Sequence, residues 1–260
     1  MSAFYDLASL VVVPSGYKAS KVYAQKPQTT DGQLAFTRST TATRVNSAGL
    51  IESVAVNVPR LDYLNSTCPK LLLEPQRTNL ITFSEQFNNA AWSTGNATVT
   101  ANQTISPDGY LNADKLAASI NVTTNPAELI QSTSQAANTA NSFSVYAKKS
   151  TSNFIALRLT SVAGNPYVWF NLNTGTVGTV QSGLTGSIVS AGNGWYRCTV
   201  TGTTEAVIGV NRVDIAVSDN NGNFVCAING SIFLYGCQVE AAAYATSYIP
   251  TLNSAVTRGS

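Results

Sequence analysis

The chain is 260 residues long, 44% hydrophobic and 11% charged, with a net charge of +2 and no histidine. That apolar content is ample for a packed core and argues against a disordered chain, while a charge content well below the usual ~25% leaves Ser, Thr, Asn and Gln to build the surface. The near-neutral balance gives no electrostatic reason to expect nucleic acid, and without histidine every Ser-His-Asp or Cys-His arrangement is gone and a zinc site has few ligands to draw on.

Met1-Ser-Ala-Phe-Tyr-Asp has no basic leader, and the apolar run over residues 9–14 is too short for a signal core. No stretch reaches the ~18 apolar residues needed to span a bilayer, so neither ordinary secretion nor membrane insertion is expected. The first ~75 residues then read as short extended pieces, 10–14, 16–23 and 34–40, punctuated by Pro14, Pro27, Gly32 and Gly49. Residues 50–58 alternate apolar and polar side chains over part of their length until Pro59, and Leu71-Leu-Leu precedes Glu74-Pro75. So few long periodic runs give a thin core. The apolar pieces of this segment are therefore expected to pair with another chain or dock on a partner.

The chain divides near residues 74–90, and strand-like runs then recur with turn signals between them. They cover residues 97–101, 113–118, 128–132, 142–147, 154–159 and 167–172, then 176–180, 187–189, 195–200, 207–217 and 231–239. Asn173-Thr-Gly175 reads as a hairpin turn, and Gly192-Asn-Gly194 as a turn. Residues 131–139 alone lean towards helix, without a clear cap. The expectation is an all-β protein: an irregular, extended attachment and oligomerisation segment over residues 1–75, followed by a β-sandwich of jelly-roll type over residues 76–260.

Cys198, Cys226 and Cys237 lie in apolar strand sequence, where reduced cysteine serves as a small core residue; two disulfides are the alternative. Most acids adjoin turns, as in Asp31-Gly32, Asp108-Gly109 and Asp219-Asn220, and nothing connects Glu128 with Glu205, so no catalytic residue is assigned. No phosphate-cradling glycine motif is present. A binding surface follows from strand alternation. If Phe143, Val145, Ile155, Leu157, Leu159, Val168 and Phe170 point inward, Tyr146, Arg158, Trp169 and Asn171 point outward. Should their strands adjoin, these four gather on one sheet face, and aromatic plus hydrogen-bonding side chains there would suit a sugar ring. The competing reading covers that face with a loop or a neighbouring subunit. Trp92 is expected to cap one end of the sandwich, and Trp195 to be a core or edge aromatic.

Two sets of residues carry a resemblance. Ala191-Gly-Asn-Gly-Trp-Tyr-Arg-Cys, Ser231-Ile-Phe-Leu-Tyr-Gly-Cys-Gln-Val-Glu and Thr246-Ser-Tyr-Ile-Pro-Thr resemble the closing blocks of jelly-roll modules in bacteriophage structural proteins of the head-fibre and head-spike type. Ala35-Phe-Thr-Arg-Ser-Thr-Thr-Ala-Thr-Arg-Val-Asn-Ser-Ala-Gly-Leu-Ile-Glu, Pro59-Arg-Leu-Asp-Tyr and Leu71-Leu-Leu-Glu-Pro-Gln-Arg-Thr-Asn-Leu are similar to the segment that precedes the jelly roll in many such proteins. The resemblance implies a non-enzymatic virion protein, made in the host cytoplasm and displayed on the capsid, with a tail-associated receptor-binding protein or adhesin as the alternative. It implies a homo-oligomer, by analogy a trimer, attached to the capsid or another virion protein through residues 1–75, with a host-surface glycan as an outward partner. No cofactor is implied, although related carbohydrate-binding modules often hold a structural calcium. Asp214, Asp219 and Glu240 are the carboxylates available for one.

Overall fold

The computed structural model describes residues 3–14, 16–207 and 211–260. They resolve into two compact units, Arg77–Thr257 and the described part of Met1–Gln76 together with Arg258–Ser260.

The larger unit is a sandwich of strands β1 (Ser93–Gly95), β2 (Ala97–Ile105), β3 (Leu111–Ala118), β4 (Ala127–Ser132), β5 (Ala140–Lys149), β6 (Phe154–Leu159), β7 (Tyr167–Asn171), β8 (Thr176–Val180), β9 (Leu184–Gly192), β10 (Trp195–Thr203), β11 (Arg212–Ser218) and β12 (Ser231–Glu240). The first sheet has the order β1-β4-β11-β6-β7-β8 and the second β2-β3-β12-β5-β10-β9, and every neighbouring pair is antiparallel. The chain changes sheet between β1 and β2, between β3 and β4, and again at β5, β6, β9, β11 and β12. Such repeated crossing makes a jelly roll rather than a meander.

All eleven expected runs are strands, and β1 is an additional short one. For the run expected over residues 207–217 the strand starts at Arg212, and residues 208–210 lie outside the described residues. The helical leaning of residues 131–139 is overturned, because β4 continues to Ser132 and a turn follows. The polar side chains there bond locally or to other backbone instead. Gln131 Oε1 accepts from the Thr82 N–H at 2.9 Å, and Gln135 Nε2 donates to Thr133 Oγ1 at 3.1 Å.

The inner faces meet as alternation dictates. Leu129, Ile155, Leu157, Leu159, Val168, Phe170, Val213 and Ile215 from the first sheet pack with Leu116, Phe143, Val145, Val200, Ile232, Leu234 and Val239 from the second. Each large apolar side chain so buried stabilises the fold by about 1.5–3 kcal/mol. Cys198, Cys226 and Cys237 belong to this core as free thiols, and burial pushes their pKa values up, away from the reactive thiolate. Trp92 is buried against Phe87 and donates from Nε1 to the Phe83 carbonyl at 3.1 Å. The β9–β10 turn places Gly192, Asn193 and Gly194 at φ 80°, 51° and 79°, a left-handed run that only glycine and asparagine accept cheaply. Asparagines 57, 65, 96, 102, 138, 165 and 229 also sit at positive φ, so turn geometry uses much of this abundant residue type.

The smaller unit is built differently. It has a short helix, Ala3–Leu7, and two-stranded ribbons pairing Val11–Val12 with Ala24–Lys26, Lys21–Val22 with Leu34–Ala35, Ala42–Val45 with Ile51–Val54, and Leu61–Asp62 with Lys70–Leu71. Its buried apolar side chains among the described residues are few: Val22, Ala42, Ile51, Val54 and Leu61. Beside them lie three buried arginines, Arg38, Arg60 and Arg258. Arg38 donates to the carbonyls of Thr40, Val54, Ala55 and Val58, while Arg60 and Arg258 converge on the Glu74 carboxylate. Burial, and then the neighbouring Arg60 and Arg258 charges, lower the Arg38 pKa. Backbone carbonyls and one carboxylate thus satisfy charges that would otherwise be prohibitive to bury.

Candidate functional site

Within the sandwich, the outer face of the first sheet gathers three of the four expected surface residues. Cross-strand pairing sets Ala156 opposite Trp169 and Arg158 opposite Tyr167, with Ala216 and Asp214 on the other side of β6. The small Ala156 and Ala216 lie fully buried beneath Tyr167, Trp169 and Phe224, whose ring centroids are 4.8–5.6 Å apart. Trp169 is only 1% exposed: Phe224 covers it, and its Nε1 donates to the Asn223 carbonyl at 3.0 Å. Loop packing, the competing reading for this face, is what the structure shows at Trp169. Asn171 is spent on the hairpin turn, its Oδ1 accepting from the N–H groups of Asn173 and Thr174.

Next to the aromatic cluster lies a charged array. The Arg158 guanidinium stacks 4.5 Å from the Tyr167 ring centroid, ion-pairs with the fully buried Asp214, and lies 3.7 Å from Glu128. Arg212 Nε is 3.0 Å from Asp214 Oδ1, and Tyr167 donates its hydroxyl proton to Glu128 Oε2 at 3.2 Å. Burial raises the Tyr167 pKa, and the Glu128 charge adds to that, so the phenol remains a donor. Arg212 is one-third exposed, and Glu128 and Arg158 are partly so. The face therefore presents guanidinium donors and carboxylate acceptors beside an aromatic wall, with all of them fixed by neighbours. Glu128, Tyr167, Arg212 and Phe224 carry no binding assignment in the sequence, and Asp214 carries one only to calcium. The alternation that places Trp169 and Arg158 outward also places Tyr167 outward, but only topology brings β4 and β11 alongside.

Tyr146 does not join this face, which corrects the expected grouping. Its strand, β5, belongs to the second sheet, because the chain changes sheet between Lys149 and Phe154. On that sheet's outer side Tyr146 packs with Tyr235 and Tyr248 and stacks under Arg197. Gly236, at φ 57°, makes room: a Cβ there would lie 3.1 Å from Tyr146 and 3.2 Å from Tyr248. The tip of the β2–β3 hairpin and the residues after β12 also engage this side. Tyr235 donates to Asp108 Oδ2 at 3.0 Å, the 1%-exposed Trp195 donates to the Ile105 carbonyl, and Arg197 donates to the Thr246 carbonyl. Burial, the largest influence on Glu85 beneath Tyr235 and Tyr248, raises its pKa.

The three carboxylates considered for calcium do not fit a shared site. Asp214 faces Arg158 and Arg212, Asp219 accepts from the Ala227 N–H at 2.9 Å, and Glu240 accepts from the N–H and hydroxyl of Thr246. Among the described residues no three His, Cys, Asp or Glu side chains converge.

No family model matches the sequence, and no curated protein matches it. Similar solved structures include the enzymatically active domain of tailspike protein 4 of bacteriophage CBA120, at 16% identity and a TM-score of 0.38 over 62% of this chain and 21% of that one. Another is the CBM22-1–GH10 portion of Clostridium thermocellum xylanase 10B complexed with xylohexaose, at 11% identity and a TM-score of 0.39 over 68% of this chain and 30% of that one. A third is the mannan-recognising carbohydrate-binding module TmCBM27, at 14% identity and a TM-score of 0.36 over 66% of this chain and 98% of that one. The chain thus spans less than a third of the tailspike and xylanase chains it resembles.

Proposed function

We propose that this chain is a non-enzymatic structural protein of a bacteriophage virion, assembled as a homo-oligomer through its N-terminal unit and displaying the jelly roll outward from the capsid. One observation carries the assembly part: the N-terminal unit leaves Phe4, Leu7 and Leu73 at least 70% exposed while burying few apolar side chains of its own. Phe4 and Leu7 lie on the short helix and Leu73 follows the Lys70–Leu71 strand, and apolar side chains left this exposed are what a partner chain covers. The virion, the capsid position and the trimer rest on the sequence blocks at residues 35–52, 71–80 and 191–251, and a tail position is the runner-up. Static light scattering on the full chain tests the assembly. A trimer that Phe4→Ser/Leu7→Ser/Leu73→Ser converts to monomers is expected, whereas a wild-type monomer at micromolar concentration would sink the reading.

The jelly roll's part is contact with a host-surface glycan through the outer face of the first sheet. Phe224 supplies the partly exposed edge of the aromatic cluster, and Arg158, Glu128 and Arg212 supply the polar groups of the same face. A non-catalytic role is supported by Asp214 and Glu128, which neutralise Arg158 and Arg212 rather than face each other across a cleft. A glycan array with wild type, Phe224→Ala and Arg212→Gln tests this. Loss of signal in both variants at unchanged thermal stability is expected, and equal signal in all three excludes this face.

A further inference from the structure

The N-terminal unit contains a concavity that the assembly and sheet-face readings do not use. The Ala42–Val45/Ile51–Val54 hairpin sets Arg44 directly opposite Glu52, with Arg44 Nε 2.6 Å from Glu52 Oε1. Asn46 donates from Nδ2 to Glu52 Oε2 at 3.0 Å, while its Oδ1 caps the hairpin turn by accepting from the N–H groups of Ala48 and Leu50. Tyr17 and Tyr63 join these residues, with Leu61 beneath, around an open space of about 440 Å³. That size lies within the ~300–1,000 Å³ of small-ligand clefts.

We propose that this concavity binds a neutral polyol, one hexose unit of an oligosaccharide. Three features select that chemistry. The Arg44–Glu52 pair neutralises itself, so a charged ligand would find no uncompensated partner. Both groups are held in place and still have hydrogen-bonding capacity: Arg44 spends Nε on Glu52, leaving its terminal amino groups, and each Glu52 oxygen retains a lone pair. A fixed donor beside a fixed acceptor matches two adjacent hydroxyls. Tyr17 and Tyr63 line the same space, and Tyr17 is 41% exposed, so its phenol is accessible to the C–H face of a sugar ring. Burial alone would raise the Glu52 pKa, but the hydrogen bonds from Asn46 and Arg44 outweigh it, so the carboxylate stays ionised as an acceptor. A partly exposed ion pair of this kind contributes little to stability. The order built around it is thus better suited to recognition than to holding the fold.

Isothermal calorimetry of the full chain with neutral β-linked hexasaccharides of glucose, galactose and mannose, and with a uronic acid hexamer, tests the proposal. Saturable binding of a neutral hexamer is expected. Glu52→Gln and Tyr17→Ala should weaken it about tenfold or more, the cost of a charge-assisted hydrogen bond or a stacking surface, while Tyr17→Phe retains it. Thermal melts of each variant exclude loss of the fold as the cause. Binding that Phe224→Ala abolishes and the Tyr17 and Glu52 variants spare belongs to the sheet face and not to the concavity, so the two sites fail or stand separately. The proposal is overturned by no saturable binding of any neutral hexamer, by binding indifferent to the Tyr17 and Glu52 variants, or by tighter binding of the uronic acid hexamer.

Discussion

The sandwich and the N-terminal unit solve the same burial problem in opposite ways. In the sandwich, two six-stranded sheets hide their alternate side chains in a common apolar core, and the polar groups are left to the outer faces. In the N-terminal unit, two-stranded ribbons cannot enclose much, and guanidinium groups fill the interior by bonding to carbonyls and to Glu74. A fold held by side-chain volume tolerates polar change at its surface. A fold held by a few charge-assisted bonds depends on each one.

The largest expected effect is on the sandwich. Phe170→Ala empties a fully buried position and should cost about 3–5 kcal/mol. Urea unfolding followed by tryptophan fluorescence reports it, because Trp92, Trp169 and Trp195 all lie in that unit. A loss under ~1 kcal/mol would mean that the core collapses freely around the gap.

The counterpart in the N-terminal unit is Glu74→Gln. It removes the ionised partner shared by buried Arg60 and Arg258, and breaking a buried pair in this way costs about 3–5 kcal/mol. Hydrogen exchange should rise across residues 38–62 and remain slow in β5, β6 and β7. Uniform acceleration in both units would show that they do not differ as described.

The smallest effect, and the one that most directly opposes the two units, is with pH. Glu52 has a pKa below the ordinary value, so its contribution is present above about pH 4 and is lost as the pH falls through the lowered value. Glu85 and Asp114 in the sandwich have raised pKa values, chiefly from burial. Their contribution is complete below about pH 4 and is lost as the pH rises through the raised values. Acidification should therefore weaken protection around residues 42–54 while these two sandwich carboxylates become easier to bury. Single-residue pKa values from carbon-detected NMR check the three directions. Glu52 titrating above the other two would contradict the assignment.

Much of the sandwich was legible because a period of two is a local property. Ile155, Leu157 and Leu159 against Val168 and Phe170 could be assigned inward from spacing alone, and the Asn173-Thr-Gly175 turn marked where the strands reverse. Sheet membership is not local. Tyr146 and Arg158 are twelve positions apart and both point outward, yet the crossover after Lys149 puts them on different sheets. For the same reason Glu128 had no visible partner, although Arg158 waits for it two strands away and Tyr167 three. The buried arginines were least legible. Phe36-Thr-Arg38 and Val256-Thr-Arg258 look alike in sequence, but nothing in either shows that the second returns to the first unit to share Glu74 with Arg60. Trp169 was read for its chemistry when its burial decides its role, and Phe224, in an unremarkable loop, is the aromatic left partly accessible.

A density map of the assembled particle most directly tests the proposed assembly, an oligomeric virion protein held by its N-terminal unit with its jelly roll outward. Several copies joined through residues 1–75 are expected, with Phe4, Leu7 and Leu73 covered at the junction and the outer face around Phe224 open to solvent. A single copy per attachment point, or copies joined through the sandwich with those three side chains facing water, would contradict it.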